Sequence, residues 1–467
     1  MSKQLIETGV IGLDTILDGG LPPNHLYLVQ GASGSGKTTM SLQFLLEGAK
    51  KGEKVLHLGT SETEEEIREI ADSHNWSLDK VNLFHHDCTH FQPVFEQSII
   101  HPAEVELPKI MEKLLSVVKE IEPSRLVIDS LTEIRVLAQD EHWYRNQLML
   151  LKAFFLERDC TVILTDIPEG NSASLRSIVH GVIELDLCTS LYGPDRRHIR
   201  VAKIRGKDFM TGYHDYRIVN GGLICYPRLI AAEHRETIPQ NQVSIGNESF
   251  DRMFGGGLDR GTSILLIGPS GSGKSLFATQ SLIAAAKRGE KAVMYLFDER
   301  IHTFLQRSAA VGYDVVPLQK KGLIALRQLD PAEVTPGEFS HMVQEQIEAG
   351  VTMLIIDSLN GYAYAMAEER HLSIYLHELS SYLNQKQITT LFIMSHQKHT
   401  AGFSSDPFDV SYIADTVLRH RLVEYKHTMR TLISVVKRRC GPHEKFEREL
   451  LITAHGISAG DPLNGDF

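Results

Sequence analysis

Two stretches decide the fold, GASGSGKT at residues 31–38 and GPSGSGKS at residues 268–275. Both fit G-x-x-x-x-G-K-[ST], the phosphate-binding loop (P-loop), in which small residues let backbone N–H groups surround phosphate oxygens. The lysine of this pattern neutralises the β and γ oxygens, and the hydroxyl that follows it binds Mg²⁺. The sequence therefore predicts two sites for ATP and Mg²⁺.

The predicted contacts fall on matching positions of the two loops. The nucleotide-binding residues that we expect are Gly31, Ser33, Gly34, Ser35, Gly36, Lys37, Thr38 and Thr39 in the first loop, and Gly268, Ser270, Gly271, Ser272, Gly273, Lys274, Ser275 and Leu276 in the second. The expected metal ligands are the hydroxyls of Thr38 and Ser275, together with Asp129 and Asp357. Each of these aspartates ends an apolar strand, where a Walker B carboxylate holds Mg²⁺ through water.

The two halves of the chain repeat each other. Placing Lys37 on Lys274 aligns residues 12–38 with 249–275 and residues 50–62 with 287–299 without a gap. Further segments follow in the same order, RLVIDSLT with MLIIDSLN and VAKIRG with VVKRRC, so the chain is a tandem duplication. We predict one domain at residues 1–228, a polar linker without a strong period at 229–242, and a second domain at 243–467.

Strand and helix patterns alternate in each half. The runs LYLVQG and ILLIG are short and apolar, and each leads through a P-loop into an amphipathic helical stretch that ends at glycine. Continuous apolar strands belong in the middle of a parallel sheet that is covered on both faces. The predicted fold class is therefore α/β, with two RecA-like P-loop NTPase domains in series.

Composition excludes several classes of protein. Hydrophobic residues make up 42% and charged residues 23%, no apolar run approaches the length of a membrane span, and the start MSKQLIETG lacks the pattern of a secretory signal. The five cysteines are scattered, as in a reduced intracellular protein. We expect a cytoplasmic protein without membrane contacts. The net charge of −11 argues against nucleic acid as a partner.

The carboxylate that orients the attacking water should follow the strand after the P-loop helix. In the second half this position holds Asp298 and Glu299, whereas the first half has Ser61 and Glu62. We assign catalytic roles to Glu62, Asp298 and Glu299. The acidic run at residues 64–66 is interpreted as the first turn of a helix, where negative charge is favourable.

Together, the duplicated P-loops, the acidic pair, the IDS strand ends and the K-x-R segments make the chain resemble KaiC, the double-domain ATPase of the bacterial circadian clock, and its relatives. The resemblance spans roughly residues 12–462. It implies a double-ring homohexamer with ATP between adjacent subunits. It also implies that Lys203 with Arg205, and Lys437 with Arg439, contact the γ-phosphate bound by a neighbouring subunit and stabilise the transition-state charge.

Relatives of the clock type are also autokinases, and their phosphorylated pair corresponds here to Ser411 and Tyr412. The resemblance implies serine kinase activity in the second domain, a part in clock-related or stress signalling, and regulatory partners of the KaiB type. Asp298 and Glu299 retain carboxylates that would accept the proton of an acceptor hydroxyl.

Two other functions use the same core. A RecA- or RadA-like motor would hydrolyse ATP in response to DNA, and single-stranded DNA would then raise its turnover. A signalling scaffold would bind ATP chiefly to assemble, and Ser61 in place of an acidic residue favours this for the first domain.

Overall fold

The computed structural model describes residues 4–85, 102–138, 141–168, 173–190, 193–231, 241–330, 333–366, 372–395 and 412–463. Ser411 and residues 232–240 of the predicted linker lie outside the described residues. The chain falls into two compact units: Met1–Leu191 with Asp195–Arg228, and Leu229–Phe467 with Tyr192–Pro194. We refer to them as the first and the second unit.

The first unit alternates strands and helices up to β6 and then continues as strands. Its elements are α1 Leu13–Ile16, β1 Leu26–Gly31, α2 Lys37–Lys50, β2 Val55–Gly59, α3 Glu64–Ser73, β3 Asn82–His85, α4 Pro102–Ile121, β4 Arg125–Asp129, α5 Leu131–Ala138, α6 Glu141–Leu156, β5 Thr161–Asp166, α7 Ala173–Ile178, β6 Gly181–Cys188, β7 Arg196–Ile204, β8 His214–Val219 and β9 Gly222–Tyr226. The strands of one sheet are ordered β3-β2-β4-β5-β1-β6-β7-β8-β9.

The second unit repeats this plan after a short antiparallel pair, β10 with β11. Its elements are β10 Gln242–Val243, α8 Glu248–Met253, β11 Leu258–Asp259, β12 Ser263–Gly268, α9 Lys274–Lys287, β13 Lys291–Leu296, α10 Ile301–Ala310, α11 Val316–Lys320, β14 Ile324–Gln328, α12 Pro336–Glu348, β15 Val351–Asp357, α13 Leu359–Ala365, α14 Leu372–Gln385, β16 Thr389–Ser395, β17 Thr416–Tyr425, β18 Thr428–Arg438, β19 Arg448–Thr453 and β20 Gly456–Pro462. Its sheet is ordered β14-β13-β15-β16-β12-β17-β18-β19-β20.

In each sheet, parallel pairing runs from the first edge strand through the P-loop strand to the strand after it, and the remaining pairs are antiparallel. Every residue of β1, β4 and β5 is buried, and apolar clusters lie on both faces of each sheet. The predicted pair of RecA-like α/β domains with mostly parallel sheets is thereby confirmed. Among the described residues, no helix combines the length and the apolarity needed to cross a membrane.

One charged side chain lies inside the first unit. Arg125, at the start of β4, is 1% exposed and forms two hydrogen bonds to the carboxylate of Glu53, at 2.6 and 3.0 Å. Its Nη1 also donates to the carbonyls of Glu7 and Phe44, at 2.7 and 3.0 Å. The matching position of the second unit is the apolar Met353. The same strand position is therefore stabilised by ion pairing in one unit and by apolar packing in the other.

Two candidate nucleotide sites

Both P-loops connect the central strand of a sheet to the helix that follows it. The last glycine of each loop caps this helix in the left-handed region, with φ 93° at Gly36 and 79° at Gly273. A Cβ on Gly36 would lie 2.7 Å from Ile218 Cδ1, and one on Gly273 would lie 2.6 Å from Leu450 Cδ2. Backbone conformation and close packing therefore both require glycine, and the free N–H groups of the helix start face the loop, as in phosphate sites.

The P-loop lysines donate to corresponding carbonyls in the two units. Lys37 Nζ donates to the carbonyls of Gly31 and Ala32 at 2.9 and 3.0 Å, and Lys274 Nζ donates to those of Gly268 and Pro269 at 2.8 and 2.6 Å. Burial lowers the pKa of Lys37. It lowers the pKa of Lys274 to about 8. Each lysine is thus a desolvated cation at the mouth of its loop.

In the first unit, the Walker B residue Asp129 is fully buried at the end of β4. Thr165 donates a short hydrogen bond to its Oδ1, and His57 Nε2 lies 3.9 Å from its Oδ2. Burial acts to raise the pKa of Asp129, but the His57 ring and the Thr165 hydroxyl outweigh it, so the pKa lies below its usual value. Asp129 Oδ2 has no hydrogen-bond partner among the described residues.

This arrangement fits a bound Mg²⁺. The buried Asp129 carboxylate keeps Oδ2 without a hydrogen-bond partner among the described residues, and the Thr38 hydroxyl is close enough to this carboxylate to help lower its pKa. One or two hard oxygen donors, completed by water and phosphate, are the usual protein contribution to a Mg²⁺ site. In the second unit the Ser275 hydroxyl contacts Asp357 in the same way, but burial raises the pKa of Asp357 to about 6. The positions of His57 and Thr165 hold Met294 and Ile393 there, so Asp357 lacks their polar support.

Glu62 of the first unit is half-buried next to this metal site. Burial, reinforced by the Asp129 carboxylate, raises the pKa of Glu62. Its buried Oε2 has no hydrogen-bond partner in the part of the chain that the structure describes. The neighbouring Ser61 hydroxyl lies 3.2 Å from that of Ser130. Glu62 thus has a free oxygen and the raised basicity that a water-activating carboxylate needs.

Both members of the acidic pair in the second unit accept hydrogen bonds from neighbouring side chains. Ser358 donates a short hydrogen bond to Asp298 Oδ2, and Arg307 forms two hydrogen bonds with the carboxylate of Glu299, at 2.8 and 3.2 Å. One open cleft is lined by residues 270–276 together with Asp298, Glu299, Arg307 and Asp357. The structure therefore brings the P-loop, the Walker B residue and both predicted catalytic carboxylates of this half together.

The acidic run at residues 64–66 forms the first turn of α3, as predicted. Thr63 and Glu66 form a reciprocal capping box, in which the Thr63 hydroxyl accepts from the Glu66 backbone and the Glu66 carboxylate accepts from the Thr63 backbone. Such a cap satisfies two otherwise free N–H groups at the helix start. These carboxylates stabilise the helix, in contrast to Glu62.

Lys203 and Arg205 lie away from the P-loop of their own unit. Lys203 is opposite Val182 near the amino end of β6, whereas the P-loop begins beside Leu185 of the same strand. Three residues of strand separate these points by about 10 Å. Lys203 Nζ donates to the carbonyls of residues 176 and 179, at 2.7 and 2.8 Å, and Arg205 donates to that of residue 177 at 2.8 Å. Both cations therefore turn towards the end of α7.

The second pair of cations is placed in the same way. Lys437 lies opposite Val417, and its Nζ donates to the Ala414 carbonyl at 2.7 Å. Arg439 donates to the Tyr412 carbonyl at 2.9 Å and forms a 3.3 Å contact with Asp415. Tyr412, one of the two phosphorylation candidates, is 49% exposed, and the other candidate, Ser411, lies outside the described residues.

Sequence reasoning missed a polar cluster beside the first P-loop. Asp166 ends β5, is fully buried, accepts from Gln30 Nε2 at 3.4 Å and pairs with Arg135 at 3.2 Å. Burial raises the pKa of Asp166, and its charge acts on Lys37. The matching position of the second unit holds the apolar Met394, so the alignment of TVILTD with TTLFIMS held the signal.

Each unit thus combines the RecA strand order with a P-loop at the end of its central strand and with acidic side chains on the neighbouring strands, and this combination defines a tandem P-loop ATPase. The family model of the KaiC ATPases matches residues 6–230 and, a second time, residues 243–463. The chain therefore belongs to the KaiC family of ATPases, as its motifs indicated.

The similar proteins come from cyanobacterial clocks. The chain is 27% identical over 466 residues to the circadian clock protein KaiC3 of Synechocystis sp., an alignment that covers 98% of this chain and 92% of that protein. It is 26% identical over 480 residues to the circadian clock oscillator protein KaiC of Picosynechococcus sp., with coverage of 98% and 90%. The likeness extends through both repeats, which places an ATPase domain in each half of the chain.

Proposed function

We propose that this chain is a Mg²⁺-dependent ATPase whose sites are completed by neighbouring copies in a double-ring homohexamer. The carrying observation is the position of Lys203 with Arg205 and of Lys437 with Arg439 at the far end of the strands from their own P-loops. Cations so placed lie away from the nucleotide of their own P-loop, which leaves them available to one that is bound by a neighbouring copy. We further propose domains at residues 1–228 and 243–467 around the linker at 229–242, a division that the two compact units support.

At the first site, Lys37 and the loop N–H groups hold the β- and γ-phosphates, while Thr38 and Asp129 hold the metal ion. The bound metal ion neutralises the charge that develops on the transferring phosphoryl group. Glu62 accepts a proton from the attacking water, because its raised pKa and free Oε2 favour this role. Arg205 and Lys203 of the adjoining copy stabilise the charge on the equatorial oxygens.

The second domain is proposed to hydrolyse ATP or to transfer its γ-phosphate to Ser411 or Tyr412. Two observations favour transfer: Asp298 and Glu299 both line the P-loop cleft, and the exposed Tyr412 lies in a segment held by Arg439. In the transfer the acceptor oxygen forms a bond to γ-phosphorus and gives its proton to the carboxylate of Asp298 or Glu299, the bond to the β-phosphate oxygen breaks, and ADP leaves. We propose clock-related or stress signalling as the setting, with KaiB-type proteins as candidate regulators.

A mixing experiment tests the shared site. One copy carries Lys37→Ala and the other Arg205→Ala, both in a Lys274→Ala background that silences the second site. Neither copy alone is expected to hydrolyse ATP, whereas co-expressed copies should regain about a quarter of the parent turnover, the fraction of interfaces with two intact halves. Co-expressed copies as inactive as the separate ones would refute sharing. Native mass spectrometry with ATP checks the six-subunit ring.

The kinase branch needs a separate experiment. Incubation with ATP followed by phosphopeptide mapping should place label on Ser411 or Tyr412, and Lys274→Ala should abolish it while Lys37→Ala leaves it. If neither residue is labelled, the kinase activity is refuted and only the proposed ATPase activity remains. Adding single-stranded DNA to the turnover assay separates the motor alternative, since we expect no stimulation.

A further inference from the structure

We infer that Arg307 is a positioning residue that holds Glu299 of the second site and thereby restrains ATP turnover there. This inference rests on the proposed ATPase function of the second domain. It concerns a side chain to which neither the motifs nor the likeness to the clock proteins assigns a role.

The Arg307 side chain grips both oxygens of the Glu299 carboxylate. Nε lies 3.2 Å from Oε1 and Nη2 lies 2.8 Å from Oε2, in the two-pronged geometry that makes arginine pairs strong. The side chains are 32% and 24% exposed, so water screens this pair less than it screens a surface pair. Both residues line the P-loop cleft, which places the pair at the nucleotide rather than on a remote surface.

The first unit provides the comparison without the arginine. α3 and α10 occupy the same place after their strands, and the position of Arg307 on α10 corresponds to Ile70 on α3. Ile70 packs against the apolar core of its unit. Glu62, the counterpart of Glu299, keeps an oxygen without a partner among the described residues. The arginine is therefore one difference between a carboxylate that is held and one that keeps an oxygen without a partner among the described residues.

The held carboxylate is less available to accept a proton from water. A general base needs a lone pair aimed at the proton that it accepts, and Arg307 engages one lone pair on each oxygen of Glu299, which leaves only the lone pairs that face away from the arginine. The neighbouring Asp298 does not replace it freely, because its Oδ2 accepts from Ser358. Release of Glu299 should therefore raise the turnover of this site.

The test uses full-length protein with Lys37→Ala, so that only the second site turns over. Arg307→Ile installs the residue of the first unit, and Arg307→Lys keeps the charge but cannot form the two-pronged contact. We expect Arg307→Ile to raise kcat about fivefold to tenfold with KM changed less than about twofold, and Arg307→Lys to give a smaller rise. A merely structural role would change KM or thermal stability without raising kcat.

The reverse exchange is the matched control. Ile70→Arg, in the Lys274→Ala background, should lower the kcat of the first site by a similar factor. An Arg307→Ile turnover that is unchanged, or as low as that of Glu299→Gln, would overturn the inference. If Arg307→Ile does not fold, a rise with Arg307→Lys supports the inference and its absence overturns it. If both the parent and Arg307→Ile lack turnover, the proposed ATPase function of the second site fails as well.

Discussion

Lys37 and Lys274 donate to corresponding carbonyls of their own P-loops, whereas the carboxylates that face these lysines have different neighbours in the two units. Asp129 is flanked by a histidine and a threonine, and Asp357 by apolar side chains. Among the described residues, Glu62 keeps one carboxylate oxygen without a partner, whereas Glu299 is held by Arg307. After duplication, the P-loop contacts have been retained, whereas the side chains around the acidic residues have diverged.

Removal of each P-loop lysine in turn gives the largest expected effect and the first test of this difference. Lys37→Ala and Lys274→Ala should each weaken ATP binding at their own site by about a hundredfold or more, because a desolvated cation at the phosphates is lost. Turnover should fall mainly with Lys37→Ala, since Glu62 is the freer base. Lys50→Ala, at an 80% exposed position, is the control. Equal losses from the two variants would mean that the sites hydrolyse ATP alike.

Replacement of the two bases sharpens the comparison. With the other site silenced, Glu62→Gln should lower the kcat of the first site about a hundredfold or more. Glu299→Gln should lower the kcat of the second site less, because Arg307 already limits Glu299 as a base. Single-turnover measurements of phosphate release provide the readout. Glu65 is exposed in the first turn of α3, so the control variant Glu65→Gln should leave kcat unchanged. If both glutamines lowered kcat by the same factor, the two carboxylates would have equal roles.

The buried Arg125 allows a test of stability. Arg125→Met copies the residue of the second unit, but it leaves Glu53 and the carbonyls of Glu7 and Phe44 without their donor. We expect a loss of about 3 kcal/mol in the free energy of unfolding, as when one partner of a buried pair is removed. Thermal or urea unfolding measures it. Arg68→Met, which breaks the exposed pair with Glu64, should lose about 0.5 kcal/mol or less.

The smallest expected effect is in the pH profile of the first site. Glu62 must be ionised to act as a base, and burial raises its pKa, so kcat should fall as the pH drops through a value above the ordinary glutamate pKa of about 4.3. Ile70→Arg should move this acidic limb down by about one pH unit, because a nearby cation favours the carboxylate. An acidic limb that does not move would place the titrating group elsewhere.

The sequence was sufficient for what lies close along the chain. The P-loops, the strands ending at Asp129 and Asp357 and the helical turn at residues 64–66 were predicted from local pattern, and the structure contains them. The positions of such loop and strand-end residues follow from local backbone geometry, and the spacing of residues in the motif is enough to predict that geometry.

What the sequence did not predict depends on partners from other elements. The contacts of Arg125 with Glu53, of His57 with Asp129 and of Arg307 with Glu299 join side chains whose pairing follows from sheet register and helix rotation. The internal alignment nevertheless held a signal, because it places Arg125, His57 and Arg307 each opposite an apolar residue of the other half. A charged residue facing an apolar one across a duplication marks a place where the copies differ in chemistry.

The attachment of Lys437 and Arg439 to residues 412–415 has a mechanical consequence. These cations close a turn of their own subunit through the carbonyls of Ala414 and Tyr412. If these cations also contact the phosphates of an adjoining subunit, the loss of each γ-phosphate would change how they interact with that turn. A ring built this way would couple the loss of phosphate at one subunit to the segment of its neighbour that contains the candidate acceptor Tyr412.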